Sequence, residues 1–478
     1  MGSKVLLYEL NEVPWKIIDL YVKRRPRSTL AQALPLALSL TTRNDDVAAL
    51  EPWRTWPTLH NSMYVAEHNS WDLGQDPATF RGVPLWDAVD RAGKVVGLFG
   101  PLQSWPAKPF KREGFYVPDT FSSSNETFPA SLSRFQAFNL AMTSDNTFSP
   151  EGMLSALQLV RVGADVLRLG MTPRSATLVA RHLARELREP RTKASRSTMQ
   201  ALPSFDLFWK LHRHYSPDLS IFFTNHVAGM MHRYWGDGVP GYQSTNAYRA
   251  DDVYAGFLLK AMDIFDRQLS TALTWVKKHE DVVLVVASSM GQDAIDKEAV
   301  DETFVLESTE QLGVALGFRG DQGLAMYPST TVTLANTNTA AVAGKALQSV
   351  RTERGPLFDT VRVVGRSVSV VIDQYSWGRP RTRNLSYVPV GHRDAISGTI
   401  EDLGVSIRHR MGGGNTAWHV PAGMMMAFGQ TVRADSTRVA VDVRDVAPSI
   451  LALLDVPSPP SFRGEASIRF VAQDRLLK

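Results

Sequence analysis

The chain has 478 residues, enough for two or three average domains or one large α/β domain, and 44% of them are apolar, ample for a sizeable core. It contains no cysteine, which excludes disulfides, thiolate metal ligands and cysteine catalysis. Lysine and arginine number 52 against 48 acidic residues, a net charge of +4 that predicts no nucleic-acid partner.

The apolar run Lys4 to Leu10 reads as a buried strand ending at Asn11-Glu12. It is short and carries Glu9, so it behaves as a strand rather than the apolar core of a signal peptide. Ala31 to Leu40 holds a proline and is too short to span a bilayer, so a soluble, cytoplasmic protein without a membrane span is expected. Trp15, Ile18 and Val22 recur at helical spacing in a helix from Pro14 to Arg25. The basic clusters Lys23 to Arg27 and Arg379 to Arg383 read as solvated loops. Thr41 to Glu51 is polar and reads as a loop feeding the stretch Trp53 to Met63. There Pro57 fits the first turn of a helix, with Thr55 at its entrance. Helix N-termini hold phosphate and sulfate, although threonine is also an ordinary capping residue.

Val83 to Gly97 reads as helix, turn and strand, and Pro101 to Pro118 as an irregular border with four prolines. Ser122 to Thr127 reads as a turn. Helical patterns follow over Leu154 to Leu169, Ala176 to Leu187 and Met199 to His212. Leu219 to Thr224 and Val282 to Ala287 are continuous apolar strands separated by a long helix, Ala247 to Lys278. Short apolar strands between long helices predict an α/β fold, a mostly parallel sheet covered on both faces. Strand-like pieces such as Thr360 to Val364 and Ser367 to Val371 mark residues 302–397 as a smaller strand-rich lobe.

Three features in this order carry a resemblance: a strand ending at Asn11-Glu12, the turn Thr55-Trp56-Pro57, and Asp445-Val446-Ala447-Pro448-Ser449-Ile450-Leu451-Ala452-Leu453-Leu454-Asp455-Val456-Pro457. The chain resembles the alkaline phosphatase superfamily, in its type I phosphodiesterase/nucleotide pyrophosphatase-like branch. The resemblance implies a single alkaline-phosphatase-like α/β domain over 1–478, with residues 149–214 as a helical cap insertion. It also implies Thr55 as nucleophile or phosphate anchor, and two metal ions at the strand ends that clamp the attacking and leaving oxygens.

The sequence departs from that pattern. Asn11-Glu12 stands for Asp-Gly, and Ser289-Met290-Gly291 stands where the family has Asp-His-Gly-Met. Ala228 replaces an aspartate, while His232 and His419 remain and His226 stands at a strand end. A binuclear site is therefore not expected. His226, His232 and His419 are expected beside Thr55, holding at most one divalent ion (Zn²⁺ or Mn²⁺) or none, in which case they act as acid, base or anion-binding groups. Asn11, Glu12, Arg54, Asn225, Arg233, Ser289 and Gln292 are expected to bind the substrate, a small phosphorylated or sulfated molecule. Ser288 reads as a helix N-cap, and Gly412 to Gly414 as a flexible loop. The implied activities are ester hydrolysis or transfer with a degenerate metal site, metal-independent group transfer from a nucleotide- or lipid-phosphate donor, or non-catalytic binding.

Overall fold

The computed structural model describes residues 3–46, 50–148, 167–246, 248–298, 302–323, 325, 328–353, 355–372, 383–409 and 414–470. Eight strands form the central sheet: β1 (Lys4–Leu10), β2 (Leu38–Arg43), β3 (Val96–Phe99), β4 (Phe115–Val117), β5 (Leu219–Thr224), β6 (Val282–Ala287), β9 (Met425–Phe428) and β10 (Asp435–Asp442). Two short strands, β7 (Gly291–Ala294) and β8 (Ala417–Val420), pair outside it. The sheet order is β10-β2-β9-β6-β1-β5-β3-β4, and every pairing is parallel except those of β9.

The apolar runs are continuous because both faces are covered. Side chains alternate across a strand, so Leu6, Tyr8 and Leu10 enter one core while Val5 and Leu7 enter the other. The first core is closed by α1 (Trp15–Arg24), α4 (Ala228–Gly238) and α5 (Phe257–Val276). The second is closed by α2 (Pro52–Asn61), α3 (Leu85–Arg91) and α6 (Val446–Leu453). This is the expected α/β class. Among the described residues, no helix is long and apolar enough to cross a membrane.

Residues between Phe304 and Val405 build a separate apolar cluster from small antiparallel sheets and two helices. They meet the rest of the chain at the loop after α2, where Arg362 Nη1 lies 2.8 Å from Asp72 Oδ1 and Thr331 Oγ1 donates to Leu73 O at 2.6 Å. In the region 149–214, the described residues form helices Pro173–Arg188 and Ala201–Tyr215 with a 3₁₀ segment between them. Most of the expected helix Leu154 to Leu169 lies outside the described residues, as do Gly412, Gly413 and most of Arg379 to Arg383.

Several local expectations are corrected. The long helix begins at Phe257, after a 3₁₀ turn, and Ala247 lies outside the described residues. Thr41 to Arg43 continue β2 rather than a loop, since they pair with β10. Ser288 caps no helix: its Oγ donates to Leu10 O and accepts from Val13 N at 3.2 Å, locking β6 to β1. Helix α2 starts at Pro52, not Pro57, with Glu51 at its N-cap. Pro57 therefore sits inside the helix and removes the bond to Trp53 O. That carbonyl is recovered by Ser70, whose Oγ donates to it at 3.0 Å. Ser70→Ala is predicted to orphan a buried carbonyl and cost about 1–2 kcal/mol, measured by urea unfolding, whereas Ser70→Thr retains most of the stability.

Candidate functional site

The candidate site is built around one carboxylate. Glu12 follows β1 with a left-handed backbone (φ 61°), unusual for a residue other than glycine, and it is 2% exposed. That turn sends its side chain among groups from three other elements. Asn11 Nδ2 donates to Glu12 Oε1 at 2.7 Å, and the Gln292 amide donates to Oε2. His232 Nε2 stands 3.0 Å and His419 Nε2 3.4 Å from the same Oε2.

The strand and helix packing explains the convergence. In the β7–β8 ladder Gln292 pairs with His419, which delivers both toward Glu12. Helix α4 follows β5 and departs from helical geometry at Tyr234. Thr416, just before β8, fills that irregularity: its N–H donates to His232 O at 2.7 Å, and its Oγ1 accepts from Gly236 N at 3.0 Å. His232 and His419 are thereby brought to a ring separation of 5.1 Å, with the Trp418 ring against both.

Electrostatics follow the geometry. Burial opposes the charge of Glu12, but the His419 and His232 imidazoles, by charge and hydrogen bonds, hold its pKa well below the usual carboxylate range. Burial likewise opposes the His419 cation, yet Glu12 and Glu51 leave its pKa raised. Glu51 Oε2 lies 3.6 Å from His419 Nδ1, and burial raises the pKa of that carboxyl despite His419 and Arg54. Nothing in the sequence marked Glu51; only its place before Pro52, at a helix start, hinted at a fixed position.

Glu12, His232 and His419 offer one ligand atom each within 4.8 Å of one another. A divalent ion fits this set. His232 Nδ1 lies 3.1 Å from Ala417 O, a contact that orients the ring with Nε2 toward Glu12 Oε2. The separations of 3.0 and 3.4 Å bracket the ~3.3 Å edge of a tetrahedral zinc shell.

The other expected residues divide. Thr55 Oγ1 and Ser289 Oγ are hydrogen-bonded at 2.8 Å and both are fully buried. Asn11 ties this pair's helix to the cluster: its Oδ1 accepts from Trp56 Nε1, and its Nδ2 also donates to Asn225 Oδ1, each at 2.7 Å. His226 does not join the set. Its Nδ1 lies 2.7 Å from Thr224 Oγ1 and its Nε2 3.1 Å from Ala261 O, and burial lowers its pKa to about 4. Arg54 turns away as well, donating to Trp71 O at 2.7 Å and lying 3.7 Å from Asp72. Arg233, Asn225 and Asn11 line a cavity of ≈ 300 Å³ whose walls include Phe121, Phe223 and the cation Lys193.

No family model matches the chain, and no curated protein does. Among solved structures, human ectonucleotide pyrophosphatase/phosphodiesterase 5 is similar at 11% identity over 97% of each chain, with a TM-score of 0.42. The murine protein, in an inactive form in complex with AMP, is similar at 11% identity over 96% of each chain, with a TM-score of 0.38.

The buried His226 supplies a pH test. Its folded value near 4 lies below the ordinary ~6.5, so the unfolded chain binds more protons between the two. Its contribution is present above pH 6.5 and is lost as pH falls toward 4. His226→Gln is predicted to flatten the loss of stability over that window by up to about 3 kcal/mol, read from denaturant midpoints against pH. His68 and His212, both lowered to about 4 by burial, keep the remaining slope.

Proposed function

We propose that the chain is a phosphoester or sulfoester hydrolase or transferase that works with one divalent ion, held by Glu12, His232 and His419. The observation that carries this reading is the convergence of Glu12, His232 and His419, which offer one ligand atom each within 4.8 Å of one another. An ion bound there supplies Lewis-acid polarisation of an ester oxygen. The chain's own groups bind and orient. Arg233 and Lys193 give the adjoining cavity its positive side, suited to a phosphate or sulfate, while Phe121 and Phe223 accept an apolar body. Asn11 and Asn225 join that cavity to the Glu12 carboxylate.

Thr55 is the hydroxyl proposed for the reacting centre, as nucleophile or as phosphate anchor. In the present arrangement its Oγ1 is engaged by Ser289. A nucleophilic role requires the pair to part and the threonine to rotate toward the cavity, whereas an anchoring role needs only Ser289 to hold the hydroxyl in place. Metal-independent group transfer is the second reading. It is favoured by the same cluster if the charges of His232 and His419 alone neutralise Glu12.

Equilibrium dialysis with Zn²⁺ or Mn²⁺ should give one ion per chain, and Glu12→Gln or His232→Ala should weaken it by roughly 10- to 100-fold. Trp418 is the reporter, since its ring touches both histidines; the fluorescence change on metal addition should be lost in Trp418→Phe. Two ions per chain, or full turnover after chelation, would overturn the one-ion reading. In a screen of phosphodiesters, phosphomonoesters and sulfoesters, Thr55→Val should lower kcat by several orders of magnitude if Thr55 is the nucleophile, and mainly raise KM if it is an anchor. Thr55→Ser should retain activity in either case.

A further inference from the structure

The two histidines of the Glu12 cluster differ in what their second ring nitrogen meets. A ring that gives the Nε2 lone pair to an ion keeps its hydrogen on Nδ1, and that N–H then needs an acceptor. For His232 the acceptor is backbone, since Nδ1 lies 3.1 Å from Ala417 O. For His419 no such bond is in place: Nδ1 is buried, with no partner at hydrogen-bond geometry. What faces it is a carboxylate, Glu51 Oε2 at 3.6 Å. The Leu50 carbonyl is the other acceptor on that side, since it too raises the pKa of His419.

Glu51 starts from a fixed point. It is the N-cap of α2, and its carbonyl accepts from Arg54 N at 2.8 Å and from Thr55 N at 2.9 Å. Its side chain makes no capping bond, so the carboxylate is not committed to its own helix. Closing the separation to an ordinary N–H···O length of about 2.9 Å is a movement on the scale of side-chain adjustment rather than helix displacement. A bond from an imidazole N–H to a carboxylate is charge-assisted, fixes the ring plane and makes the opposite nitrogen the stronger ligand. We propose that Glu51 is the positioning residue of the ion site: its carboxylate accepts from His419 Nδ1 and holds Nε2 toward Glu12. The inference rests on the one-ion reading and extends it, because the residue that orients His419 also anchors the helical turn carrying Thr55. Ion site and proposed reacting hydroxyl then share one anchor.

Co²⁺ is the probe for the test, because its visible absorption depends on coordination geometry. Titrated into the full chain, it should bind once per chain in the wild type. Glu51→Ala should bind it about 10- to 100-fold more weakly, and at saturation its absorption band should differ from that of the wild type, because His419 is no longer held in one orientation. Glu51→Gln keeps an acceptor oxygen without the charge and should fall between the two in affinity. Melting profiles should stay unchanged, since no capping bond is lost; should alanine lower the melting temperature, the comparison of Glu51→Gln with wild type decides. Binding by both variants within about twofold of wild type overturns the proposal and leaves the Leu50 carbonyl as the acceptor. Weaker binding with the wild-type band at saturation also overturns it, since that pattern reports the loss of a nearby charge and not of orientation. A wild-type chain that takes up no ion is a separate result: it overturns the one-ion reading, and this proposal with it.

Discussion

The site depends on keeping the Glu12 charge in a place that water scarcely reaches. A buried carboxylate survives ionised only when partners surround it, and removing one partner of such a set costs on the order of 3–5 kcal/mol. Here the partners come from four parts of the chain: Asn11 from the end of β1, His232 from α4, Gln292 from β7 and His419 from β8. The left-handed turn at Glu12 is itself unfavourable by roughly 1–2 kcal/mol. The chain holds it there because four polar partners meet the carboxylate at once. Strand order does the assembling, since β5 and β6 flank β1 in parallel and end beside it.

Much of this was legible in the residues. Apolar runs located β1, β3, β5 and β6, because a strand buried on both faces cannot alternate and so stands out. His232 and His419 were legible as partners only through the family resemblance, and the structure does bring them together. Glu12 stands out in the sequence as a polar group at a strand end, but its backbone conformation, which decides where the carboxylate goes, has no sequence signature for a residue other than glycine. His226 shows the opposite case. Its position after β5 resembled that of a ligand, yet an imidazole with both nitrogens bonded to Thr224 and Ala261 has nothing left to offer. Proline is common in a first turn, so the sequence points to Pro57 as the start of α2; the donor that compensates for Pro57 inside the helix, Ser70, lies 13 residues after it and is found only by folding.

Helix α2 joins the molecule's parts. On one side, Trp56 and Thr55 meet Asn11 and Ser289 at the candidate site. On another, His60 reaches Glu9 in the interior. Near its N-terminus Arg54 approaches Asp72, whose Oδ1 is also bound by Arg362 from the strand-rich lobe. Both guanidiniums lie over the Trp71 ring, at 5.7 Å and 5.1 Å, and burial together with the neighbouring Arg362 charge lowers the pKa of Arg54. Two cations sharing one carboxylate and one aromatic face form a contact that is sensitive to the position of either.

The consequence for Thr55 is mechanical. It adjoins Arg54 in the chain, so a shift of the helix that parts its hydroxyl from Ser289 competes with two fixed points: the Asp72 contact on one side and the Asn11–Trp56 bond on the other. A helix pinned at neighbouring residues moves as a body or not at all, because its backbone bonds couple successive turns. Side-chain rotation of Thr55 alone needs no such motion. It needs only that Ser289 take another partner, which in the proposed reaction is a substrate oxygen entering the cavity lined by Asn11 and Asn225.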